Sequence, residues 1–256
     1  MILNPLLKSN PTETPDADSP ASGGPQFYGR RGGHKLRPRR QKLVDGLLPT
    51  ILLSADNGEI DLSAIFGPEI REIWLEVGFG AGEHIAEQAR LNPHVGFIGC
   101  EPFLNGVAAL LAQIDTHDLT NVRIYDDDAR LILPLLPDAS IDRGFVLFSD
   151  PWPKARHHRR RFIEPNNLNA LGRILKDSAE LRFASDHMGH VSWALEHTTR
   201  HPNFTWPVAS AKDWRIAPND WVQTRYERKA LAKGDACAYL RFYRRLRREK
   251  EAIAHP

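Results

Sequence analysis

Short apolar runs alternate with helical patterns along most of this chain, and this alternation limits its fold more than any other feature. Five of the apolar runs predict strands, at residues 73–77, 95–101, 122–125, 141–148 and 180–184. Five amphipathic patterns predict helices, at residues 83–92, 103–116, 129–136, 165–175 and 189–199. Such alternation is typical of an α/β fold, in which a parallel sheet carries helices on both faces.

The last part of the chain has a less regular pattern. Residues 204–245 contain a predicted strand at 239–243 and a predicted loop at 224–229. The C-terminal cations indicate a helix or tail exposed to solvent, and they are Arg241, Arg244, Arg245, Arg247, Arg248 and Lys250.

We divide the chain into an N-terminal extension at residues 1–42 and a folded domain at residues 43–256. Residues 1–26 are rich in Pro, Ser, Thr, Asp and Gly. They lack the apolar surface that offsets the entropy of ordering, so we predict disorder there. Residues 28–42 are strongly basic, and a solvated charged tail and an arm that folds along a polyanion explain them equally well.

The composition leads us to expect a cytoplasmic protein. No stretch approaches the length of a membrane span, and residues 1–7 are too short for a secretion signal and include a proline. The two cysteines, Cys100 and Cys237, lack the spacing of a metal site and lie among apolar residues, so we expect buried free thiols. The net charge is only +2, so binding of a polyanion depends on local basic patches.

A glycine-rich turn follows the first predicted strand and opens the first predicted helix. Gly78, Gly80 and Gly82 allow the backbone to approach a ligand closely. Their spacing differs from the G-x-G-x-x-G pattern of dinucleotide sites, and Glu83 puts a negative charge where a pyrophosphate would bind the helix. The turn alone is a weak signal, since glycine-rich turns also occur where the chain only reverses, but its spacing and Glu83 disfavour NAD.

Acidic residues accompany the ends of three successive predicted strands. Glu76 precedes the glycine turn, Glu101 ends the second strand and Asp128 follows the third. Parallel strands end at one edge of the sheet, where an acid can accept both hydroxyls of a ribose. Three acids there suit a ligand with a cationic amino-acid end, a ribose and a base. S-adenosylmethionine has these parts, so the set favours this cofactor over three unrelated surface charges.

The segment at residues 146–161 joins a candidate catalytic acid to a basic run. The fourth strand is expected to reach Asp150 and to present its carboxylate at the same edge. Pro151 and Pro153 stiffen the chain, and Trp152 between them is as compatible with stacking on a base as with a hydrophobic plug. The basic run offers groups that suit phosphate, namely Arg156, His157, His158, Arg159, Arg160 and Arg161. The two histidines have no third ligand nearby, so no metal is expected.

Together, these features resemble the bacterial tRNA (guanine-N7)-methyltransferases. The likeness covers roughly residues 29–245. Its most specific pieces are Phe-Ser-Asp-Pro-Trp-Pro-Lys at residues 148–154, the basic run that follows, and Thr-Arg-Tyr-Glu at residues 224–227. The resemblance implies a Rossmann-like class I methyltransferase fold with a mostly parallel seven-stranded sheet.

The resemblance also implies a reaction and a role for each matching residue. The reaction is methyl transfer from S-adenosylmethionine to N7 of guanosine 46 in the variable region of tRNA, which leaves S-adenosylhomocysteine. The implied cofactor residues are Glu76, Gly78, Gly80, Glu101, Asp128 and Asp150, and Asp150 is also the implied catalytic residue. The residues implied to hold the target nucleotide are Lys154, Asp186, Thr224, Arg225, Tyr226 and Glu227. The basic run at residues 156–161 is implied to contact RNA, and no protein partner is indicated.

Guanine N7 needs little from an enzyme besides position. It attacks with a lone pair and carries no proton to remove, so catalysis rests on alignment. Asp150 or Asp186 can stabilise the positive charge that develops on the base, and Glu227 can accept the N1 and N2 hydrogens of guanine. Two alternatives stay open: a nucleic-acid methyltransferase that acts on an exocyclic amine, and a non-catalytic RNA-binding protein on the same fold.

Overall fold

The computed structural model describes residues 27–55 and 58–247. The strands in this part of the chain are β1 (Glu72–Val77), β2 (Val95–Cys100), β3 (Val122–Tyr125), β4 (Ile141–Leu147), β5 (Leu175–Ser185), β6 (Phe204–Thr205) and β7 (Ala238–Arg244). The helices are α1 (Pro38–Gly46), α2 (Leu48–Ile51), α3 (Leu62–Phe66), α4 (Glu83–Leu91), α5 (Leu104–His117), α6 (Ala129–Ile132), α7 (Pro165–Ile174), α8 (Met188–Arg200), α9 (Lys212–Arg215) and α10 (Arg225–Ala232). The predictions for residues 1–26, Arg248 and Lys250 lie outside the described residues.

The seven strands in the described residues form one sheet in the order β3–β2–β1–β4–β5–β7–β6. The pairs from β3 to β5 are parallel, while β7 runs antiparallel to both of its neighbours. The strand order reverses between β1 and β4, and open α/β sheets bind ligands at such a switch point. The predicted class, a mostly parallel seven-stranded sheet, is confirmed.

Helices cover both faces of the sheet because apolar residues alternate along the strands. In β1, Trp74 belongs to the apolar cluster that contains residues of α4 and α5, whereas Leu75 and Val77 belong to the cluster that contains residues of α6, α7 and α8. Cys100 and Cys237 are buried free thiols, as predicted. Within the described part of the chain, no helix has the length and apolar character needed to cross a bilayer.

Two boundaries in the middle of the chain differ from the prediction. Strand β5 begins at Leu175 rather than at residue 180, directly after α7 ends at Ile174. Its first residues include a polar stretch in which Ser178 has a φ of 64°, and its pairing with β4 is irregular between Ile141 and Arg143. The irregular stretch breaks the apolar alternation on which the prediction depended.

The predicted loop at residues 224–229 is wrong, because this segment opens α10. The Thr224 side chain accepts a hydrogen bond from the Glu227 backbone N–H at 3.1 Å and caps the helix. The spacing Thr-x-x-Glu is the sequence signature of such a cap, so the sequence contained the signal.

The prediction of a solvated helix or tail is also wrong for Arg241 and Arg244, the first two of the C-terminal arginines. Arg241 and Arg244 belong to β7, where Arg241 forms an ion pair with Glu180 and Arg244 pairs with Asp177 at 2.6 Å. Both acids lie on β5, so these cations join neighbouring strands.

Part of the predicted extension packs against the domain. Helix α1 begins at Pro38, and Arg39 forms an ion pair with Asp115 at 3.1 Å. Further back, the Arg31 carbonyl accepts a hydrogen bond from the Leu104 N–H at 3.0 Å. An ion pair and a backbone hydrogen bond leave no apolar pattern in the sequence, which is why the ordered part was expected to begin only at residue 43.

Candidate active site

Three glycines form the turn between β1 and α4. Gly78, Gly80 and Gly82 have φ angles of 74°, 59° and 80°, a region that residues with side chains rarely adopt. Helix α5 approaches the turn closely, because a Cβ atom on Gly106 would lie 2.2 Å from the Gly80 carbonyl oxygen. The turn is therefore shaped by its own conformation and by the first turn of α5.

The three predicted acids lie at the same edge of the sheet, beside this turn. Glu76, Glu101 and Asp128 accompany the ends of the adjacent strands β1, β2 and β3, and they are 4%, 9% and 7% exposed. The Glu101 carboxylate accepts hydrogen bonds from the backbone N–H groups of Gly80 at 2.8 Å and Phe103 at 3.0 Å. One acid is thus bonded directly to the glycine turn.

Electrostatics indicate that the acids influence one another. Burial raises the pKa of Glu101, the two backbone hydrogen bonds oppose the rise, and the negative charges of Asp150 and Glu76 add to it. Like charges raise a carboxyl pKa only when they lie nearby. These three acids therefore form a local negative region, which suits a cationic ligand.

Asp128 has a structural partner in addition to its place at this edge. Its carboxylate caps α6 by accepting from the Arg130 N–H at 3.0 Å, and it pairs with the Arg130 guanidinium at 2.5 Å. The preceding Asp127 pairs with Arg31 of the N-terminal segment at 2.7 Å. A ligand group that binds Asp128 would share its carboxylate with Arg130.

Asp150 lies in a strained turn after β4. The strand ends at Leu147 and does not reach Asp150 as predicted, because Phe148 leaves it with a φ of 50°. Trp152 has a φ of 42°. Each such residue costs about 1–3 kcal/mol, and strain of this kind concentrates at functional sites. The chain here holds an exposed carboxylate between two unfavourable backbone conformations.

Arg161 holds this turn from inside the protein. It is 3% exposed, and it donates hydrogen bonds to the carbonyl oxygens of Pro151 at 2.8 Å, Gly189 at 3.3 Å and Trp152 at 3.4 Å. A side chain so placed does not face an RNA, contrary to the implied contact. The sequence did not distinguish this arginine from its neighbours in the basic run.

The rest of the basic run lies at the surface. Residues 155–160 form a 3₁₀ helix, in which Arg156 and Arg159 are exposed and His157 and His158 are half-buried; Lys154 before it is exposed. Burial, then the surrounding cations, lower the pKa of His157.

Trp152 does not fully match the hydrophobic plug, which is one of its two predicted environments. It is half-buried rather than enclosed in the core. The Arg160 guanidinium lies 5.0 Å from the centre of its ring, and the same guanidinium lies 4.2 Å from the centre of the Tyr28 ring. The N-terminal segment that contains Tyr28 and Arg31 thus contacts both the loop after β4 and Asp127.

The Thr224–Glu227 segment separates into buried and exposed groups. Glu227 is 2% exposed, and its carboxylate accepts hydrogen bonds from Trp221 Nε1 at 2.7 Å and from the Tyr239 hydroxyl at 2.6 Å. Each of its oxygens accepts one of these bonds, and its burial, rather than their number, places it beneath the start of α10 instead of at the exposed surface. Arg225 and Tyr226 are exposed, and a Cβ on Gly80 would lie 3.1 Å from the Tyr226 ring. The start of α10 therefore touches the glycine turn.

Asp186 follows β5 and is exposed, whereas His190 on α8 is fully buried. Neither ring nitrogen of His190 has a hydrogen-bond partner among the described residues. Burial, followed by the charges of Arg161, His187 and His158, lowers the pKa of His190 to about 3.

We expect His190→Leu to remove part of the acid sensitivity of the fold. The unfolded chain binds a proton at His190 below pH 6.5, and the folded protein does not until about pH 3, so wild-type stability falls as the pH falls between these values. The slope is about 1 kcal/mol per pH unit. Urea unfolding at pH 7.5, 6.5 and 5.5 measures this. Below pH 6.5, the free energy of unfolding of the variant should rise relative to that of the wild type by about this amount per pH unit. A constant difference at the three pH values would contradict the assignment.

Among the described residues, no group of three or more His, Cys, Asp or Glu side chains lies close enough together to hold a metal ion.

The predicted cofactor acids and glycines are brought together with Asp150. The sequence did not indicate Gly106, because its role arises from the approach of α5 to the turn. It did not indicate the buried His84 on α4 either, which bonds to Glu76 at 2.7 Å.

The chain is similar in sequence to several known proteins. Residues 71–240 match the model of the family described as "Putative methyltransferase". A tRNA (guanine-N(7)-)-methyltransferase from Rhodospirillum rubrum is 50% identical over 226 residues, which cover 87% of this chain and 89% of that protein. A protein of the same name from Nitrobacter hamburgensis is 42% identical over 250 residues, 97% of this chain and 95% of that protein. A solved structure described as "Structure of an Antibiotic Related Methyltransferase" is 18% identical, with a TM-score of 0.48 over 75% of this chain and 94% of its own. The chain belongs to the tRNA (guanine-N7)-methyltransferase family.

Proposed function

We propose that this protein transfers the methyl group of S-adenosylmethionine to N7 of guanosine 46 in the variable region of tRNA. The observation that carries the proposal is the convergence of Glu76, Glu101 and Asp150 beside the glycine turn, in a chain that is 50% identical to a tRNA (guanine-N(7)-)-methyltransferase. A tRNA substrate is met in the cytoplasm, where we propose that the protein acts.

The residues at the edge of the sheet fit S-adenosylmethionine. When bound, this cofactor supplies a methyl group on a positively charged sulfur. We assign Glu76 to its ammonium group and Glu101 to its ribose hydroxyls, since a buried carboxylate is stabilised by a cation or by hydroxyl donors. Asp128 is assigned to the adenine end, where it keeps its bond to Arg130. Gly78 and Gly80 leave the backbone accessible, because neither carries a Cβ atom.

Asp150 is the residue that we assign to the target base. Its carboxylate is exposed at the site while the strained turn and Arg161 fix its backbone. The guanine ring becomes positive as N7 gains the methyl group, and a fixed negative charge nearby stabilises that state. Asp186 at the end of β5 is exposed and available to hold the nucleotide.

The exposed groups around Asp150 provide the remaining contacts to the nucleotide and to RNA. Lys154, which follows Asp150 in the chain, is exposed, as are Arg225 and Tyr226 at the start of α10, and Arg156 and Arg159 add further exposed cations. Cations of this kind bind phosphate without reading sequence. Thr224 and Glu227 are assigned the task of shaping the start of α10, since the first caps the helix and the second is buried beneath it.

We expect Arg161→Lys to lower kcat about 10-fold and the free energy of unfolding by about 2 kcal/mol, because the three carbonyl oxygens are bonded by three different nitrogens of the guanidinium and lysine offers only one nitrogen. The KM for tRNA should change little. The checks are steady-state kinetics and urea unfolding, with Arg200→Lys as the control, since Arg200 is exposed on α8 and pairs with Glu196. If Arg161 contacted RNA instead, KM and its salt dependence would change while stability stayed constant.

The direct test is methyl transfer from labelled S-adenosylmethionine to an unmodified tRNA transcript. One transcript carries guanosine at position 46, and a matched transcript carries 7-deazaguanosine there. We expect incorporation into the first and none into the second, because 7-deazaguanosine lacks the N7 lone pair. Equal incorporation into both would move the methyl group to another atom, such as an exocyclic amine. Cofactor binding without incorporation into either would contradict the tRNA substrate and favour a binding protein.

A further inference from the structure

Helix α4 carries two buried polar side chains that the proposed function does not use. His84 is 1% exposed and Gln88 is 2% exposed, and they lie one helical turn apart on the same face. Gln88 donates a hydrogen bond to the Asp220 carbonyl oxygen at 2.8 Å. This face of α4 therefore meets the segment that leads into α10.

His84 contacts the cofactor side of the site through Glu76. Its Nδ1 lies 2.7 Å from Glu76 Oε2, and both side chains are almost fully buried. An ionised carboxylate only accepts hydrogen bonds, so Nδ1 carries the proton and donates it. The bond holds Oε2 and so fixes the direction in which the Glu76 carboxylate presents its other oxygen, Oε1.

His84 also contacts the side of the site that holds α10. Its ring centre lies 4.7 Å from that of Phe145 and 6.0 Å from that of Trp221. Trp221 donates to Glu227, and Glu227 accepts a second hydrogen bond from Tyr239. A path through the buried His84 and the half-buried Trp221 thus joins Glu76 to the residue beneath the first turn of α10.

We propose that His84 is a positioning residue that orients Glu76 toward the ammonium group of the cofactor, and that Trp221 connects this pair to the start of α10. The proposal rests on the proposed function. It deepens that function, because it gives one path of side chains two tasks: cofactor affinity at Glu76, and the placement of Arg225 and Tyr226 toward the nucleotide.

The composition of the path favours a functional role over packing alone. His84 Nε2 is buried without a hydrogen-bond partner among the described residues, a cost that an apolar side chain of similar size would avoid. A chain that needed only to fill this space would gain from phenylalanine. The histidine keeps one donor aimed at Glu76, and that donor is the property to test.

The first arm of the test measures the binding of S-adenosylhomocysteine by calorimetry. His84→Phe keeps a ring but removes the donor, and we expect at least a 10-fold loss of affinity. His84→Asn restores a donor at the position of Nδ1, and we expect affinity within 3-fold of the wild type. The control is His201→Phe, because His201 is a buried, hydrogen-bonded histidine that follows α8, away from the α4 site.

The second arm measures the KM for tRNA. Trp221→Phe removes the indole donor to Glu227, and we expect KM to rise about 5-fold or more while the affinity for S-adenosylhomocysteine stays within 2-fold. Trp74→Phe is the matched control, since Trp74 donates its indole N–H to Glu72 at 3.0 Å elsewhere in the same apolar cluster.

The outcomes separate this inference from the proposed function. Equal losses of affinity in His84→Phe and His84→Asn, or wild-type affinity in both, would overturn the positioning role. A wild-type KM in Trp221→Phe would overturn the connection to α10. If the His84 variants change the affinity for S-adenosylhomocysteine as expected but the wild-type protein methylates no tRNA, the role of His84 is supported and the proposed substrate is contradicted. A wild-type protein that binds no S-adenosylhomocysteine would overturn both.

Discussion

Asp150→Asn is expected to lower kcat for methyl transfer about 100-fold or more, while the affinity for S-adenosylhomocysteine changes less than 5-fold. Asparagine has the same shape but no charge, so it cannot stabilise the positive charge that develops on guanine; fixed groups of this kind contribute about 10²–10³ in rate. The strained backbone at Phe148 and Trp152 and the bonds from Arg161 do not involve the carboxylate, so the turn should persist. Single-turnover rates with saturating tRNA measure the effect on the chemical step.

The matched control for this variant is Asp126→Asn. Asp126 is a half-buried acid after β3, at the same edge of the sheet, and we assign it no role. A general loss of negative charge at the site would slow both variants alike, whereas the proposed role slows only Asp150→Asn. A single-turnover rate within 3-fold of the wild type for Asp150→Asn would contradict the assignment of Asp150 to the base.

The acids and the glycine turn were predictable because they follow from local order along the chain. A strand pattern sets where each carboxyl end falls, and parallel strands put those ends at one edge, so Glu76, Glu101 and Asp128 could be grouped without a structure. The same reasoning failed by three residues at Asp150. The strand stops at Leu147 because Phe148 adopts a left-handed conformation. The sequence does not predict such a conformation for an apolar residue.

Charge was the least reliable guide to the site. Arg161 and Glu227 looked like surface contacts because charged residues are rarely buried, yet both are interior groups with several hydrogen-bond partners. Their partners are backbone carbonyls, an indole and a phenol, and these come near only after folding. Whether a charged side chain faces a ligand or supports the backbone depends on such tertiary contacts, which local patterns do not contain.

Gly106→Ala is expected to destroy the cofactor site, although alanine normally favours a helix over glycine by about 1 kcal/mol. The new Cβ would lie 2.2 Å from the Gly80 carbonyl oxygen and 3.3 Å from Glu101 Cγ. The first contact is with backbone, so no rotamer change relieves it, and either α5 or the glycine turn must move. We expect the affinity for S-adenosylhomocysteine to fall about 30-fold or more, and the free energy of unfolding to fall by about 3 kcal/mol. Calorimetry and urea unfolding measure the two losses.

Gly46→Ala separates the clash from the general effect of the substitution. Gly46 ends helix α1, and a Cβ there would meet no atom within 4 Å, so this variant should keep wild-type affinity and equal or greater stability. Because the Gly80 N–H also bonds to Glu101, a displaced turn disturbs the acid that we assign to the ribose. Cofactor affinity should therefore fall in Gly106→Ala and stay at the wild-type level in His201→Phe, which replaces a buried residue remote from the turn. Equal affinities in Gly106→Ala and Gly46→Ala would mean that α5 does not define the shape of the turn.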